Sequence, residues 1–213
     1  MFIIDFDDTL FDTQSGFSGA RVSALKPFGI SEQLYKETYL KARNNPNGEV
    51  IYNNRRHAQV LRQYGFSEDD VFETLEASCK PARLKFFLFP DAIDFLKKLK
   101  SLGEPMVLLS LGEKEFQYQK IKALQMEKYF DRIFMTNTEK DKTMKEILEY
   151  VSDKVIWFIN DKINETKAMH SLFPILRPLL KQSLVESPEA YRASGWPHYK
   201  TLTEIYEHIV THR

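Results

Sequence analysis

Cysteine is almost missing from this chain: Cys79 is the only one, so no internal disulfide and no Cys/His metal cluster can form. Glycine and proline are sparse, at eight and nine in 213 residues, which excludes collagen-like and low-complexity architectures. No apolar run approaches the roughly 18–20 residues that span a bilayer. Nor is there an excess of either charge. Thirty Lys+Arg balance thirty Asp+Glu, so nothing global attracts nucleic acid or an anionic membrane. The N-terminal residues have neither the basic start nor the long apolar stretch of a secretory signal, and a cytoplasmic location is the expectation. Oligomeric state is left open.

What is present is a globular composition, 43% hydrophobic and 13% aromatic. Four continuous apolar runs, at residues 1–6, 106–110, 133–136 and 155–160, read as strands buried on both faces. Residues 173–178 offer a fifth, limited by two prolines. Helical patterns separate them at 91–102, 113–126 and 143–151, and a last helix closes the chain at 201–210. In the first of these Ile93, Leu96, Leu99 and Leu102 share one side, with Asp91 placed to cap the start. Residues 181–200 read as loop. Strand alternating with helix predicts an α/β fold: a Rossmann-like three-layer core with a mainly parallel sheet.

The alternation stops between residues 15 and 85, where every pattern is helical. Ser31 and Ser67 are placed as helix N-caps, the second followed by Glu68, Asp69 and Asp70. The expected organisation is a core of residues 1–14 and 86–213 with a helical cap, 15–85, inserted after the first strand. That segment carries 11 basic and 8 acidic residues, a bias compatible with an anionic substrate.

The strongest chemical signal is Asp5-Phe6-Asp7-Asp8-Thr9, where an apolar strand ends in three carboxylates within four positions. Acids so close repel unless a cation neutralises them, and hard oxygen donors suit Mg²⁺. Asp-x-Asp-x-Thr arises by chance about once in thirty chains of this composition, before the preceding strand is required. Three weaker features follow in order. Ser110 ends the next strand, followed by Leu111 and Gly112. Lys142, with Lys140 as the alternative, precedes a helix. Asn160-Asp161 ends a fourth strand, with Glu165 four residues after Asp161.

Together these resemble the four motifs of the haloacid dehalogenase-like hydrolases. The resemblance implies Asp5 as nucleophile, Asp7 as general acid and base, Thr9 as a brace, and Ser110 and Lys142 as stabilisers of transferring oxygens. It implies Mg²⁺ as cofactor, held by Asp5, Asp7 (through its backbone carbonyl) and Asp161, with Glu165 either reaching the metal, directly or through water, or holding Lys142, and with the three carboxylates of Asp5, Asp7 and Asp161 converging on one ion. Substrate contacts would come from Ser110, Leu111 and Gly112, with Arg43, Asn47 and Arg56 of the cap reading a small phosphorylated metabolite. His57 is read as a packing residue. An Asp at position 7 favours phosphate esters, because dehalogenases and phosphonatases of the family lack it. The competing expectations are a phosphomutase or phosphotransferase, a non-catalytic module of the same fold, and a receiver-type phosphoacceptor; residues 133–137 carry no Asp for the last.

Overall fold

The computed structural model describes residues 1–149, 151, 155–184 and 186–213. Six strands form one sheet: β1 (Phe2–Ile4), β2 (Met106–Leu111), β3 (Arg132–Thr136), β4 (Ile156–Asn160), β5 (Leu176–Lys181) and β6 (His198–Tyr199). Their order is β3-β2-β1-β4-β5-β6, and every neighbouring pair is parallel. β1 therefore sits inside the sheet, with Ile3 opposite Val107 on one side and Phe158 on the other. The chain moves outward from β1 in both directions, which places a crevice at the carboxyl end of β1.

Alternate side chains of each strand enter opposite layers, as a strand covered on both faces requires. Phe2 and Ile4 join Leu108, Trp157 and Leu179 beneath α6 (Ala92–Ser101) and α11 (Leu202–Thr211), which contribute Leu96, Leu99, Ile205 and Ile209. Ile3, Val107 and Phe158 meet Met144, Ile147 and Met169 from α8 (Asp141–Leu148) and α9 (Ile163–Leu172). Each fully buried side chain of this kind stabilises by about 1.5–3 kcal/mol. The expected α/β three-layer arrangement is the one observed. Among the described residues no helix is long and apolar enough to cross a membrane.

Between β1 and β2 lie α1 (Ser18–Leu25), α2 (Glu32–Arg43), α3 (Asn54–Arg62), α4 (Glu68–Ser78) and the short α5 (Pro81–Leu84). This helical insert has a core of its own, built from Val22, Leu25, Tyr35, Ala58, Leu61, Val71 and Leu75. Ser31 and Ser67 cap α2 and α4, accepting from Leu34 N at 3.1 Å and Asp70 N at 3.3 Å. Asp91 departs from expectation: its carboxylate caps no bond of α6 and instead accepts from Thr203 N and Oγ1 at the start of α11.

Two further expectations are corrected. The fifth strand is β5, displaced from 173–178 towards the C-terminus. Pro178 does not end it but sits within it, opposite Phe158. The segment expected as loop contains α10 (Pro188–Ala193) and β6, and α7 (Lys114–Ala123) completes the helices. The end of the helix expected at 143–151 includes Tyr150, which lies outside the described residues.

Candidate active site

Asp5 follows the last residue of β1 and is buried, with its amide held by the carbonyl of Ile159 at 2.9 Å. The chain then turns sharply. Asp8 adopts a left-handed φ of 58°, which Asp tolerates better than most residues, and its carboxylate accepts from the amides of Thr13 and Gln14 at 3.1 and 3.0 Å. Asp8 is thus a structural brace, its pKa pushed up to about 6 by burial. Thr9 Oγ1 reaches Asp5 Oδ2 only at 3.4 Å.

The cation beside Asp5 is Lys140. Its Nζ donates to Asp5 Oδ1 at 2.5 Å and to Glu165 Oε1 at 2.7 Å, with the ammonium wholly buried. This corrects the choice of Lys142, which is exposed on the outer side of α8. The helix begins at Asp141, so Lys140 is its N-cap and points to the sheet while Lys142 falls on the first outward turn. Glu165, expected either at the metal or holding the lysine, accepts from Lys140 and also from Asn160 Nδ2 at 2.9 Å. Burial opposes ionisation of Glu165, but Lys140 and Lys162 prevail and hold its pKa low. Asp5 goes the other way: burial and Glu165 raise its pKa against the pull of Lys140.

Asp161 follows β4 and is fully buried. Oδ2 accepts from Ser183 Oγ at 3.1 Å, its backbone carbonyl accepts from Tyr191 Oη at 2.8 Å, and Oδ1 has no hydrogen-bond partner among the described residues. Burial, then the charge of Asp5, pushes its pKa up to about 8. Two buried carboxylates, both with raised pKa and one of them, Asp161, raised in part by the charge of the other and carrying an orphaned oxygen, form a donor set that fits a hard divalent cation such as Mg²⁺.

Asp7 does not join them. Its Oδ1 accepts from Lys120 Nζ at 2.9 Å and Thr13 Oγ1 at 2.5 Å, and its Oδ2 accepts from Gln117 Nε2 at 2.5 Å. Burial is outweighed by Lys120 and these hydrogen bonds, so its pKa is lowered. The expectation that the carboxylates of Asp5, Asp7 and Asp161 converge is therefore corrected. Among the described residues no three acidic, His or Cys side chains form a metal cluster, because Lys120 turns the Asp7 side chain away.

Ser110 is fully buried, and its Oγ accepts weakly from Gln117 at 3.3 Å. Leu111 presents its carbonyl to the same amide at 3.1 Å. The amide of Gly112 is used by the carbonyl of Thr136 at 2.8 Å, so it is not free for a phosphoryl oxygen. A Cβ on Gly112 would lie 2.6 Å from Gln117, so the close approach glycine permits here is that of Gln117. The insert's expected readers do not reach this cluster through any bond: Arg43 holds Asn44, Arg56 donates to the Ala42 carbonyl, and Asn47 is exposed.

Gln117 and Lys120 escaped the sequence reading. They stand three apart on α7 and so share one helix face directly after Ser110, a spacing that could have flagged them. Lys120 is 3% exposed, with Phe6, Phe11, Phe17 and Phe116 around its ammonium at 5.1–6.0 Å. It also lines a cavity of about 710 Å³ between α4 and α7, within the usual range for small-molecule sites.

The sequence model of haloacid dehalogenase-like hydrolases matches residues 2–170. No curated protein sequence matches the chain significantly. Among solved structures it resembles a protein of Burkholderia xenovorans assigned as a haloacid dehalogenase-like hydrolase, with a TM-score of 0.72 and 20% identity over 97% of this chain and 94% of that one. A Thermotoga maritima protein assigned as a beta-phosphoglucomutase gives 0.70 and 18%, over 100% and 99%. An L-2-haloacid dehalogenase gives 0.69 and 16%, over 98% and 97%. At such identities the structures speak for the fold, and the sequence match speaks for the lineage. With the strand-end acids and buried lysine already in place, the chain belongs to the haloacid dehalogenase-like hydrolases.

Proposed function

We propose that the chain is a Mg²⁺-dependent phosphatase of a small phosphorylated metabolite. The observation that carries this reading is the pairing of two differently held carboxylates: Asp5, buried and bound to Lys140, and Asp7, two residues on, bound to Lys120. Such separated environments suit separate roles for the two acids. Position 7 also weighs against a dehalogenase, since those family members lack the second acid.

In this reading Asp5 attacks phosphorus and the bond to the leaving oxygen breaks, leaving an aspartyl-phosphate. Asp7 gives the leaving oxygen its proton and later takes one from the water that hydrolyses the intermediate. Lys120 holds Asp7 ionised, the form needed for the second step. For the first, Asp7 must leave Lys120 and turn towards the leaving oxygen. Lys140 offsets the negative charge gathering on Asp5 and the phosphoryl group. Mg²⁺ would be held by Asp5, the Asp7 backbone carbonyl and Asp161, and when bound it supplies charge neutralisation between nucleophile and phosphate. The helical insert acts as a cap that excludes water, joined to the core through Val50 N and the Asn137 carbonyl at 2.7 Å and through Tyr52 against Phe116 at 5.1 Å.

The test is phosphate release across phosphorylated sugars, nucleotides and amino acids, with and without Mg²⁺. Wild type should release phosphate from at least one, and Asp5→Asn should lose at least about 1,000-fold of that rate. Equal rates in the two proteins would end the proposal.

A further inference from the structure

Arg21, on α1, is 2% exposed. Its guanidinium donates to Asn54 Oδ1 and lies 5.0 Å from the Phe17 ring, 5.3 Å from Tyr52 and 6.0 Å from Phe116. Among the described residues no carboxylate ion-pairs with it, and its buried Nε has no hydrogen-bond partner. The contrast with Lys120 and Lys140 is direct, since each of those buried cations has a carboxylate within 3 Å. Stacking on aromatic faces offsets part of the cost of burying a guanidinium but leaves its hydrogen-bonding capacity unspent.

A second group in the same cluster is also unspent. Tyr35 Oη, on α2, is buried with no hydrogen-bond partner among the described residues. Tyr35 lies 5.0 Å from His57, and His57 lies 5.7 Å from Tyr52, the ring beneath Arg21. Among the described residues, two donors without acceptors thus occur in one cluster of buried rings. That cluster borders the reacting acids: Phe17 and Phe116, the rings beside Arg21, also lie beside Lys120, which holds Asp7.

Resting on the phosphatase reading, we propose that Arg21 and Tyr35 recognise a second anionic oxygen group, a carboxylate or a second phosphoryl, on the leaving portion of the substrate. Nε is an unspent charged donor on the same guanidinium edge as the Nη2 that holds Asn54, and Tyr35 Oη adds a second unspent donor. The aromatic walls strengthen the contact by excluding water. The substrate class is then a phosphate ester of an acid, or a bisphosphate, rather than of a neutral alcohol.

The experiment measures kcat/KM of the whole chain with Mg²⁺ on p-nitrophenyl phosphate, glycerol 3-phosphate, phosphoglycolate and fructose 1,6-bisphosphate. Wild type should favour phosphoglycolate or the bisphosphate over glycerol 3-phosphate by at least tenfold, and which of the two wins identifies the acid group. Arg21→Met should erase the preference, and Arg21→Lys should retain part of it. Tyr35→Phe removes a hydroxyl that no described residue uses, so its melting temperature should hold while the preference falls several-fold; it decides the matter if Arg21→Met does not fold. No preference in wild type, a preference that survives Arg21→Met or Tyr35→Phe, or an equal loss on all four substrates would overturn the inference. Phosphate release from p-nitrophenyl phosphate with no acid preference would sink this inference alone. No release from any substrate would sink the phosphatase reading as well.

Discussion

Lys140 and Lys142 lie two positions apart in the same charged loop, yet their environments differ completely. Lys140 is buried between Asp5 and Glu165, and Lys142 is solvated. Removing the Lys140 ammonium leaves two buried carboxylates without their shared partner, which typically costs about 3–5 kcal/mol. Lys140→Met is therefore expected to lower the urea midpoint sharply and to abolish phosphate release, whereas Lys142→Met should change both within error. A stable, active Lys140→Met would show that Asp5 does not depend on this ion pair. The ambiguity between the two lysines reflects what a sequence conveys about charged loops. Type and approximate position are visible, but a helix starting two residues earlier than expected changes which lysine faces the sheet. Asp5, Asp7, Ser110 and Asp161 were legible because a strand end fixes their place. The direction of Asp7 was not, because it depends on Lys120, a residue 113 positions away.

Among the elements, the apolar strands were the most legible, since continuous burial leaves a continuous apolar run. A proline reads as a strand terminator, which sets the expected fifth strand too early; β5 runs on past Pro178 to Lys181. The short β6 and α10 left no periodic signal long enough to detect. The helical insert offers its own measurable property through His57, which is buried between Thr38 Oγ1 at 3.0 Å and Tyr52 Oη at 3.1 Å. Burial, with Arg21 nearby, lowers its pKa to about 3 from 6.5. A His with a depressed folded-state pKa stabilises above its unfolded value and loses that contribution as pH falls towards the folded one. Stability should therefore decline between pH 6.5 and 3, by up to about 1.4 kcal/mol per pH unit. His57→Gln should flatten the decline in urea unfolding at pH 7, 5.5 and 4.5, and identical slopes would remove His57 as its source.

For the whole molecule, a formal net charge of zero coexists with buried like charges at one end of the sheet. Asp161, with its pKa near 8, stabilises the fold when protonated, and this contribution is lost as pH rises from about 4 to about 8. The Mg²⁺ proposed above would relieve that penalty only where the acids are ionised. Its stabilising effect is thus expected to grow with pH, reaching about 2.7 kcal/mol at a hundredfold excess over Kd. Thermal unfolding of wild type and Asp161→Asn at pH 6 and 8, with and without Mg²⁺, checks this. A Mg²⁺ shift that is equal in both proteins would exclude Asp161 as a ligand.

The interior place of β1 has a further consequence, for the order of events during synthesis and refolding. Its strand partners lie far along the chain, Met106 and Trp157 facing Phe2, and the cation that meets Asp5 comes 135 positions later. Contacts of such sequence separation form slowly, because loop closure comes before any gain. A fully apolar strand ending in unneutralised acid must therefore wait, exposed, until β2 and then β4 arrive. The helical insert, whose own core is built from local contacts, is free to condense during that interval, so the proposed cap is able to form before the strand-end acids meet.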